Sequence, residues 1–559
     1  MAAKDSYLSS QRYGYDIVVA TTQASINAAM KTFLDNLEQP LVNVCFVADG
    51  SGNPVRIDFN DVLKACDPFA ISANVNPDND PNLKKLFDMR FLAGFRARLG
   101  IPANIHDPHK VPDLVVLGNE TAAVTFNLLC SEFEIVELSP GGYTGRTWAH
   151  LSQSDGDPWL FKSRVDLRMA NVQPNHYNTL PPAVQLQIKN LTDAFSIRQL
   201  LFDFTNAGLS TVPTIEGIQS GTKLHALLQQ YFVGAYFSQL QAKGEPVLSV
   251  AITRENTATS SLAITDLNLQ VSPYVGPGGA TIMNPTPEQA RLATLSYLCE
   301  TNNQILPPAA AFNWNWVDIE QRRDFDGVVA IERKTFAQFL RNQLAAYVSS
   351  NCYKPKTKLT QELGTTYWEW YLTPNQPPQV TVPDSGPMLL SFTHSAEDFD
   401  QAGAGGSIGR CKLRSEFTLT VSVQDNKITI DQNLIVWSLL RSLATETKGN
   451  IINRSITSII TLSVGGDGRL VVGEPWTNDV NSPDALDIDG FTNLFVDLNR
   501  IIDAIRNFAY ATGTQNLSGI PIGLVQDFVF PGGRTFAFKD VGFSVHQDLV
   551  AHITYTTQQ

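Results

Sequence analysis

A chain of 559 residues exceeds the size at which a single hydrophobic core stops growing, so we expect two or three core-bearing units. The composition, 43% hydrophobic and 17% charged, is that of a globular protein and excludes a disordered or fibrous chain. The 54 acidic and 41 basic residues leave a formal charge of −13, which disfavours binding to nucleic-acid phosphates or to anionic membrane surfaces. We therefore expect no nucleic-acid partner, although a local basic patch is compatible with this total.

The cysteines and the N-terminus carry no signal for a metal, a cofactor or a membrane. Six cysteines stand singly, and none has the CxxC or CxxH spacing of zinc or redox sites. We expect buried thiols, while their even number leaves disulfides open. The N-terminus lacks the apolar core of a signal peptide, and no apolar run is long enough to span a bilayer. These features predict a chain without a transmembrane segment, cytoplasmic or exported without a conventional signal peptide.

In the first half of the chain, strand-like runs alternate with helical patterns. Residues 13–19 predict a strand, after which Thr21 or Thr22 caps a helix. Two helices each present one apolar stripe, at Ile26, Met30, Phe33, Leu34 and Leu37 and at Leu224, Leu227, Leu228, Tyr231, Phe232 and Tyr236. Further strands are expected at residues 41–47, 55–59, 131–138 and 163–169, and a helix at residues 286–299.

The prolines of residues 306–311 predict a boundary between an N-terminal half, 1–305, and a C-terminal half, 306–559. One continuous elongated body is the alternative. Beyond the boundary, strand and helix signals follow in this order: a strand at 327–331, a helix with the stripe Phe336, Phe339, Leu340, Leu344 and Tyr347, a proline-rich loop at 373–387, two hairpins at 411–430 and 460–472, a helix at 491–508, and strands at 528–530 and 535–538.

This order of elements predicts an α+β fold. Helices separated by long antiparallel meanders differ from the regular βαβ alternation of a doubly wound sheet. We expect long amphipathic helices wrapped by strongly curved antiparallel sheets in an elongated molecule. Where a sheet curls around a helix, the seam between them can stay partly unfilled and accept an apolar guest.

Local patterns that suggest chemistry fail on specific grounds. The glycine-rich segment 403–409 precedes a strand and has Ile408 where a dinucleotide fingerprint needs its third glycine. Neither His106 with His109, nor the acidic groups near Asp78 and His394, comes with a complete set of metal ligands. The aromatic segment 312–316 could stack a sugar or a base, but packing is favoured. No nucleophile elbow occurs, so we expect neither an enzyme, nor a metal site, nor a cofactor.

Three segments resemble the clostridial neurotoxin-cluster accessory proteins, which comprise the forty-seven-kilodalton protein and its OrfX relatives. They are the opening Tyr13-Gly-Tyr-Asp-Ile-Val, the central Phe312-Asn-Trp-Asn-Trp-Val with Asp326-Gly-Val-Val-Ala-Ile-Glu-Arg, and the final Phe528-Val-Phe-Pro-Gly-Gly-Arg-Thr-Phe-Ala-Phe. The resemblance implies the tubular lipid-binding (TULIP) architecture, in which a curved sheet wraps a long helix, and a binding seam for lipids or other apolar molecules. It brings no catalytic motif.

The leading hypothesis is therefore non-enzymatic binding of a lipid or other apolar ligand in a seam between helix and sheet. The candidate ligand-binding residues lie on the stripes of the first and last helices: Ile26, Met30, Phe33, Leu494, Leu498, Ile501 and Ile505. The alternative is an assembly or toxin-complex protein whose seam is filled by its own side chains and whose loops 74–82 and 373–387 bind a partner protein. An enzyme acting on a hydrophobic substrate is the third hypothesis.

Overall fold

The computed structural model describes residues 3–36, 38–102, 105, 111–142, 145–154, 158–180, 185, 188–189, 195–211, 222–242, 247–254, 262–362, 365–406, 408–442, 445–484, 528–529 and 536–555. Strands dominate these ranges. In chain order they are β1 (Ile17–Thr22), β2 (Leu41–Ala48), β3 (Pro54–Ile57), β4 (Phe91–Leu99), β5 (Val115–Leu117), β6 (Ala123–Leu128), β7 (Cys130–Gly142), β8 (Gly145–Ser152), β9 (Phe161–Asn171), β10 (Phe195–Thr211), β11 (Val247–Arg254), β12 (Ile264–Ser272), β13 (Thr294–Thr301), β14 (Gly327–Ile331), β15 (Lys354–Glu362), β16 (Thr365–Thr373), β17 (Gln379–Thr381), β18 (Met388–Ala402), β19 (Gly409–Gln424), β20 (Lys427–Ser442), β21 (Thr445–Val464), β22 (Leu470–Val472), β23 (Trp476–Asn481), β24 (Phe528–Val529), β25 (Phe536–Phe543) and β26 (Leu549–Tyr555).

The helices are fewer. They are α1 (Gln23–Asp35), α2 (Phe59–Leu63), α3 (Pro81–Asp88), α4 (Lys223–Leu227), α5 (Val233–Ala242), α6 (Pro287–Ala290) and α7 (Arg333–Asn351), with a π-helical turn, Leu228–Phe232, joining α4 to α5. The helix α7, which carries the third predicted apolar stripe, is an uninterrupted helix of 19 residues. Long helices wrapped along their length by a curved sheet remain a prediction.

The strands form antiparallel sheets, as the sequence predicts. An N-terminal sheet has the order β3-β2-β4-β7-β8, and a second has the order β24-β11-β10-β9-β6-β5. A central sheet has the order β12-β13-β1-β14-β26-β25, and a C-terminal sheet runs β17-β18-β19-β20-β21, with β22 and β23 both pairing with β21. In the central sheet, β1 lies between β13 and β14, so this sheet combines strands from both sides of the boundary expected at residues 306–311. The division into two halves remains a prediction.

The helix predicted at residues 286–299 is the clearest error of the sequence analysis. Thr286 does cap a helix, through a capping box with Gln289, but this helix ends at Ala290. Residues 294–301 instead form β13, which is buried at every position between β12 and β1. A strand covered on both faces loses the period-two alternation that identifies strands, so its apolar run resembles a buried helix.

The predicted hairpins of the C-terminal sheet are confirmed. The apolar face of β19 is buried as expected, and the turn at Asp425 and Asn426 returns the chain into β20. The second turn, at residues 465–468, joins β21 to β22. These long strands supply much of the main hydrophobic core, which continues through α7 and α1 into the N-terminal sheets.

Two buried charged residues tie distant parts of the chain together at α7. The Arg333 side chain is 1% exposed and donates to the carbonyl oxygens of Pro383, Ser385, Gly386 and Met388. The Asp548 carboxylate accepts from the Ser6 hydroxyl at 2.7 Å and from the backbone N–H groups of Leu8 and Arg333. The segment 373–387, expected to be a proline-rich loop, is therefore held at Pro383, Ser385 and Gly386, and its residues 379–381 form β17.

Candidate functional site

A cavity of about 730 Å³ lies between α4 and the sheet β3-β2-β4-β7-β8. Its wall is mostly apolar, with charged groups at its margin. The lining residues come from the β2–β3 hairpin, the end of α3, the start of β4, the end of β7 and α4: Ala48, Gly52, Pro54, Phe87, Asp88, Arg90, Phe91, Leu92, Ala93, Glu137, Leu138, Ser139, Thr222, Lys223, Leu224 and Leu227. Its volume falls within the range of about 300–1,000 Å³ typical of small-molecule sites.

The helical wall of this cavity is the start of the second predicted stripe. Thr222 caps α4 by accepting from the backbone N–H of His225 at 3.3 Å. Leu224 and Leu227 then turn their buried side chains towards the sheet, one helical turn apart. This stripe was recognised in the sequence but not nominated as a site.

Aromatic packing closes the same seam further along the helical run. Tyr231 contacts Phe46 with ring centroids 5.0 Å apart, and Phe232 contacts Phe133 at 4.9 Å. The Tyr236 hydroxyl donates to the carbonyl oxygen of Leu129 at 3.1 Å. These large rings fill the space between helix and sheet, whereas a cavity remains beside the two leucines of α4.

The sheet wall is open because of its side-chain pattern. On β7, Phe133 and Ile135 are buried in the main core, and Glu137 follows at the same alternate spacing. Ala93 is the cross-strand partner of Glu137 and fills little volume. A shift in the register of β2 and β4 beside Val47 adds Leu92 to the cavity wall. The carboxyl group of Glu137 therefore lies at the end of the apolar face of the sheet.

Glu137 differs from the other glutamates of its strand. Glu132 pairs with Arg98 at 3.1 Å, and Glu134 lies 3.7 Å from His150. Glu137 is half-buried and has no ion-pair or hydrogen-bond partner among the described residues. Burial raises its pKa, because the charged carboxylate loses water without gaining a donor.

The charges at the margin of the cavity, one acidic and two basic, are exposed. Asp88 is the last residue of α3, Arg90 follows this helix, and Lys223 is the first residue of α4. The Arg90 guanidinium donates to the carbonyl oxygen of Asp49 at 3.3 Å, which holds it beside the β2–β3 hairpin. The site therefore combines an apolar interior, one unpaired carboxyl group and a polar entrance.

A second cavity, of about 480 Å³, is polar and adjoins a cluster of carboxyl groups at the start of α7. Asp16 accepts from the backbone N–H of Thr301 at 2.8 Å and from the Thr335 hydroxyl at 2.6 Å. The neighbouring Glu300 is 2% exposed, and burial together with Asp16 raises its pKa to about 8. This cluster holds β1, β13 and α7 together.

The nominated site residues do not line the 730 Å³ cavity where the structure describes them. Ile26 and Met30 are 1% and 3% exposed in the main core, and Phe33 is half-buried against it. The other four, Leu494, Leu498, Ile501 and Ile505, lie outside the described residues. Their ligand-binding role remains a prediction. Glu137 was missed, although an acidic residue at an inward position after Phe133 and Ile135 is a signal that sequence inspection can find.

The seam along α1 is closed by polar side chains as well as by apolar packing. Asn27 donates from Nδ2 to the Val115 carbonyl oxygen at 2.7 Å and accepts from the Val115 N–H at 2.8 Å. One turn earlier, Gln23 accepts from the Leu117 N–H at 2.8 Å, and one turn later Lys31 donates to the Val111 carbonyl oxygen at 2.8 Å. This row satisfies the exposed edge of β5, which would otherwise be open to pairing with another strand.

The other sequence motifs are structural where they are described. Segment 403–409 connects β18 to β19 rather than a strand to a helix. Asp398 and Asp400 accept from backbone N–H groups of β15, at 2.6 Å from Thr357 and 2.8 Å from Leu359. Asp80 caps α3, and His106 and His109 lie outside the described residues. Within the described ranges, no group of His, Cys, Asp or Glu side chains has the geometry of a metal site.

The aromatic segment 312–316 and the cysteines are buried rather than offered to a ligand. Phe312, Trp314 and Trp316 are 1–4% exposed and pack on one another and on Tyr13 and Tyr15. All six cysteines fall within the described residues and are free thiols, and five of them are buried. Among the helices that the structure describes, none is long and apolar enough to cross a membrane.

Comparison with solved structures finds similarity to a lipid-binding protein. The crystal structure of a lipopolysaccharide binding protein matches 97% of this chain and 99% of that chain, with 8% sequence identity and a TM-score of 0.30. No family model and no curated protein matches the chain. The resemblance to the neurotoxin-cluster accessory proteins therefore remains a prediction, and function has to be argued from the chain's own residues.

Proposed function

We propose that this protein binds an apolar or amphiphilic molecule, such as a lipid, in the cavity between α4 and the N-terminal sheet, without transforming it chemically. The observation that supports the proposal is the open cavity of about 730 Å³ with a mostly apolar wall. Moving a hydrocarbon chain from water into an apolar cavity is favourable by about 0.8 kcal/mol for each CH₂ group that is buried.

The position of the cavity supports the same proposal. It lies in a helix–sheet seam, the type of place that the sequence pattern predicts for an apolar guest, although at a different helix from the one nominated. Leu224, Leu227 and Ala93 supply its apolar surface, and the entrance carries Asp88, Arg90 and Lys223. An elongated molecule with one polar end matches this distribution.

The test is uptake of a neutral long-chain monoacylglycerol by the purified full-length protein, measured by native mass spectrometry and by titration calorimetry. The expected result is binding at one site. Leu224→Trp places a large ring in the cavity and should abolish uptake. Gln230→Trp is the matched control, because residue 230 is on the exposed face of the same helical run and should leave uptake unchanged.

Two results count against the proposal. One is a wild-type protein that takes up no monoacylglycerol at any soluble concentration. The other is uptake that Leu224→Trp leaves intact while the variant stays folded, because binding would then occur elsewhere in the molecule.

A further inference from the structure

Glu137 places an ionisable group inside a cavity that is otherwise suited to a hydrocarbon chain. Its neighbours on the same face of β7, Phe133 and Ile135, are fully buried, and its cross-strand partner is Ala93. A glutamate at this half-buried position removes apolar contact and loses part of its hydration. Since no described residue pairs with it, packing alone does not account for the choice of residue.

The surroundings of Glu137 favour a cationic partner. The two other glutamates of β7 face outwards and each lies beside a basic side chain, Arg98 for Glu132 and Arg96 for Glu134. Glu137 faces inwards, and burial raises its pKa without a neighbouring cation among the described residues to offset the effect. A ligand ammonium group would supply the missing donor, and a carboxylate in an apolar site forms a stronger hydrogen bond to it than one in water.

The other charges of the cavity, one acidic and two basic, lie at its margin. Asp88, Arg90 and Lys223 are exposed at the margin, and the Arg90 guanidinium is already engaged by the carbonyl oxygen of Asp49. An anionic ligand placed with its head near Glu137 would instead meet a like charge or require a proton on one carboxyl group. The interior of the cavity therefore favours a cationic head group over an anionic one.

We infer that the ligand is an amphiphile whose polar end carries a protonated amine, which donates to Glu137 while its hydrocarbon chain lies against Leu224 and Leu227. This inference rests on the proposed function, because it assigns the head-group chemistry of the same cavity. The class includes long-chain primary amines and amino alcohols.

The experiment compares a long-chain primary amine with the alcohol of the same chain length, both below their aggregation concentrations, by titration calorimetry on the full-length protein. Wild-type protein should bind the amine about tenfold more tightly than the alcohol, as expected for one charge-assisted hydrogen bond. Glu137→Gln should remove this preference by weakening the binding of the amine. Glu137→Asp, which keeps the charge, should retain part of the preference.

Glu132→Gln is the matched control, because it neutralises a glutamate of the same strand that points away from the cavity and pairs with Arg98. It should leave both affinities unchanged. Equal binding of amine and alcohol by wild-type protein, or an amine preference that survives Glu137→Gln, overturns the inference while leaving the proposed function intact. Binding of neither compound overturns the proposed function itself. Tighter binding of the corresponding fatty acid would assign the opposite head-group charge.

Discussion

The helix α1 and the helical run from α4 to α5 begin from the same sequence pattern and meet their sheets differently. Both carry one apolar stripe, and both pack on the inner face of an antiparallel sheet. Along α1, Ile26, Met30 and Leu34 are enclosed, and the polar row of Gln23, Asn27 and Lys31 covers the edge of β5. Along α4, small residues and one glutamate of the sheet leave the seam open.

The difference shows that an apolar stripe identifies the face of a helix that meets the sheet. It does not determine whether the space between that face and the sheet is filled. Filling depends on the residues opposite it, which belong to other elements. Aromatic rings opposite Tyr231 and Phe232 close one part of a seam, while Ala93 and Glu137 leave the adjacent part accessible. The same helical run therefore contains a structural segment and a binding segment.

Large-to-small substitutions should separate the two seams most strongly. Met30→Ala creates a new void in a closed core and should lower the free energy of unfolding by about 3–4 kcal/mol. Leu227→Ala enlarges space that is already open, so we expect a smaller loss, about 2 kcal/mol. Urea denaturation of both variants measures the difference. Equal losses would mean that the cavity collapses around Leu227 in solution.

Removing the polar cap of β5 should also destabilise the closed seam. Asn27→Ala leaves the Val115 N–H and carbonyl groups without their side-chain partners in a buried position, at a cost of about 2–3 kcal/mol. Thr32→Ala, at an exposed position of the same helix, should stay within about 0.5 kcal/mol of wild type. Hydrogen exchange at Val115 should accelerate only in the Asn27 variant. Unchanged protection there would contradict the capping role.

Enlarging a side chain tests the same comparison in the opposite direction. Leu34→Phe overfills the closed seam and should lower the free energy of unfolding by about 1–3 kcal/mol. Leu227→Phe extends into the open cavity, so stability should change by less than about 1 kcal/mol while uptake of a long-chain ligand falls. Thermal unfolding together with calorimetric binding resolves the two effects. A strongly destabilised Leu227→Phe would show that the space beside α4 is not available.

A pH titration extends the comparison to carboxyl groups. In the closed cluster beside α7, the pKa of Glu300 is raised from 4.5 to about 8, so the folded state holds a proton that the unfolded state has lost. Its contribution to stability is fully present below about pH 4.5 and is lost as pH rises to about 8, with a slope of at most about 1.4 kcal/mol per pH unit.

Denaturant unfolding across this pH range, for wild type and for Glu300→Gln, isolates the contribution of Glu300. The variant lacks the titrating carboxyl group, so its free energy of unfolding should fall less steeply than that of wild type between pH 5 and 8. Glu137→Gln is the corresponding variant of the open seam. Because the Glu137 carboxyl group reaches solvent, this variant should change the slope of the unfolding free energy against pH less than Glu300→Gln does. Identical slopes for wild type and Glu300→Gln would argue against a protonated Glu300 in the folded protein.

The elements with clear periodicity were predictable from the sequence. The stripe of α1, the stripe of α7 and the alternating face of β19 all identified the element and its buried side. Residues 294–301 were misassigned because β13 is buried on both faces and so lacks alternation. The cavity was predicted as a type of site, a seam between helix and sheet, but its location was not, because it depends on Ala93 and Glu137, which are distant in sequence from α4.

What the sequence by itself determined is local: where strands alternate, where helices begin, which faces are apolar, and that the patterns typical of catalysis are incomplete. These features follow from the dihedral periods of the backbone and from side-chain chemistry within a few residues. Only the tertiary structure decided which seam is filled. Whether apolar faces meet closely depends on the volumes that different strands bring together, and a single small or charged residue opposite a stripe changes a packed core into a cavity.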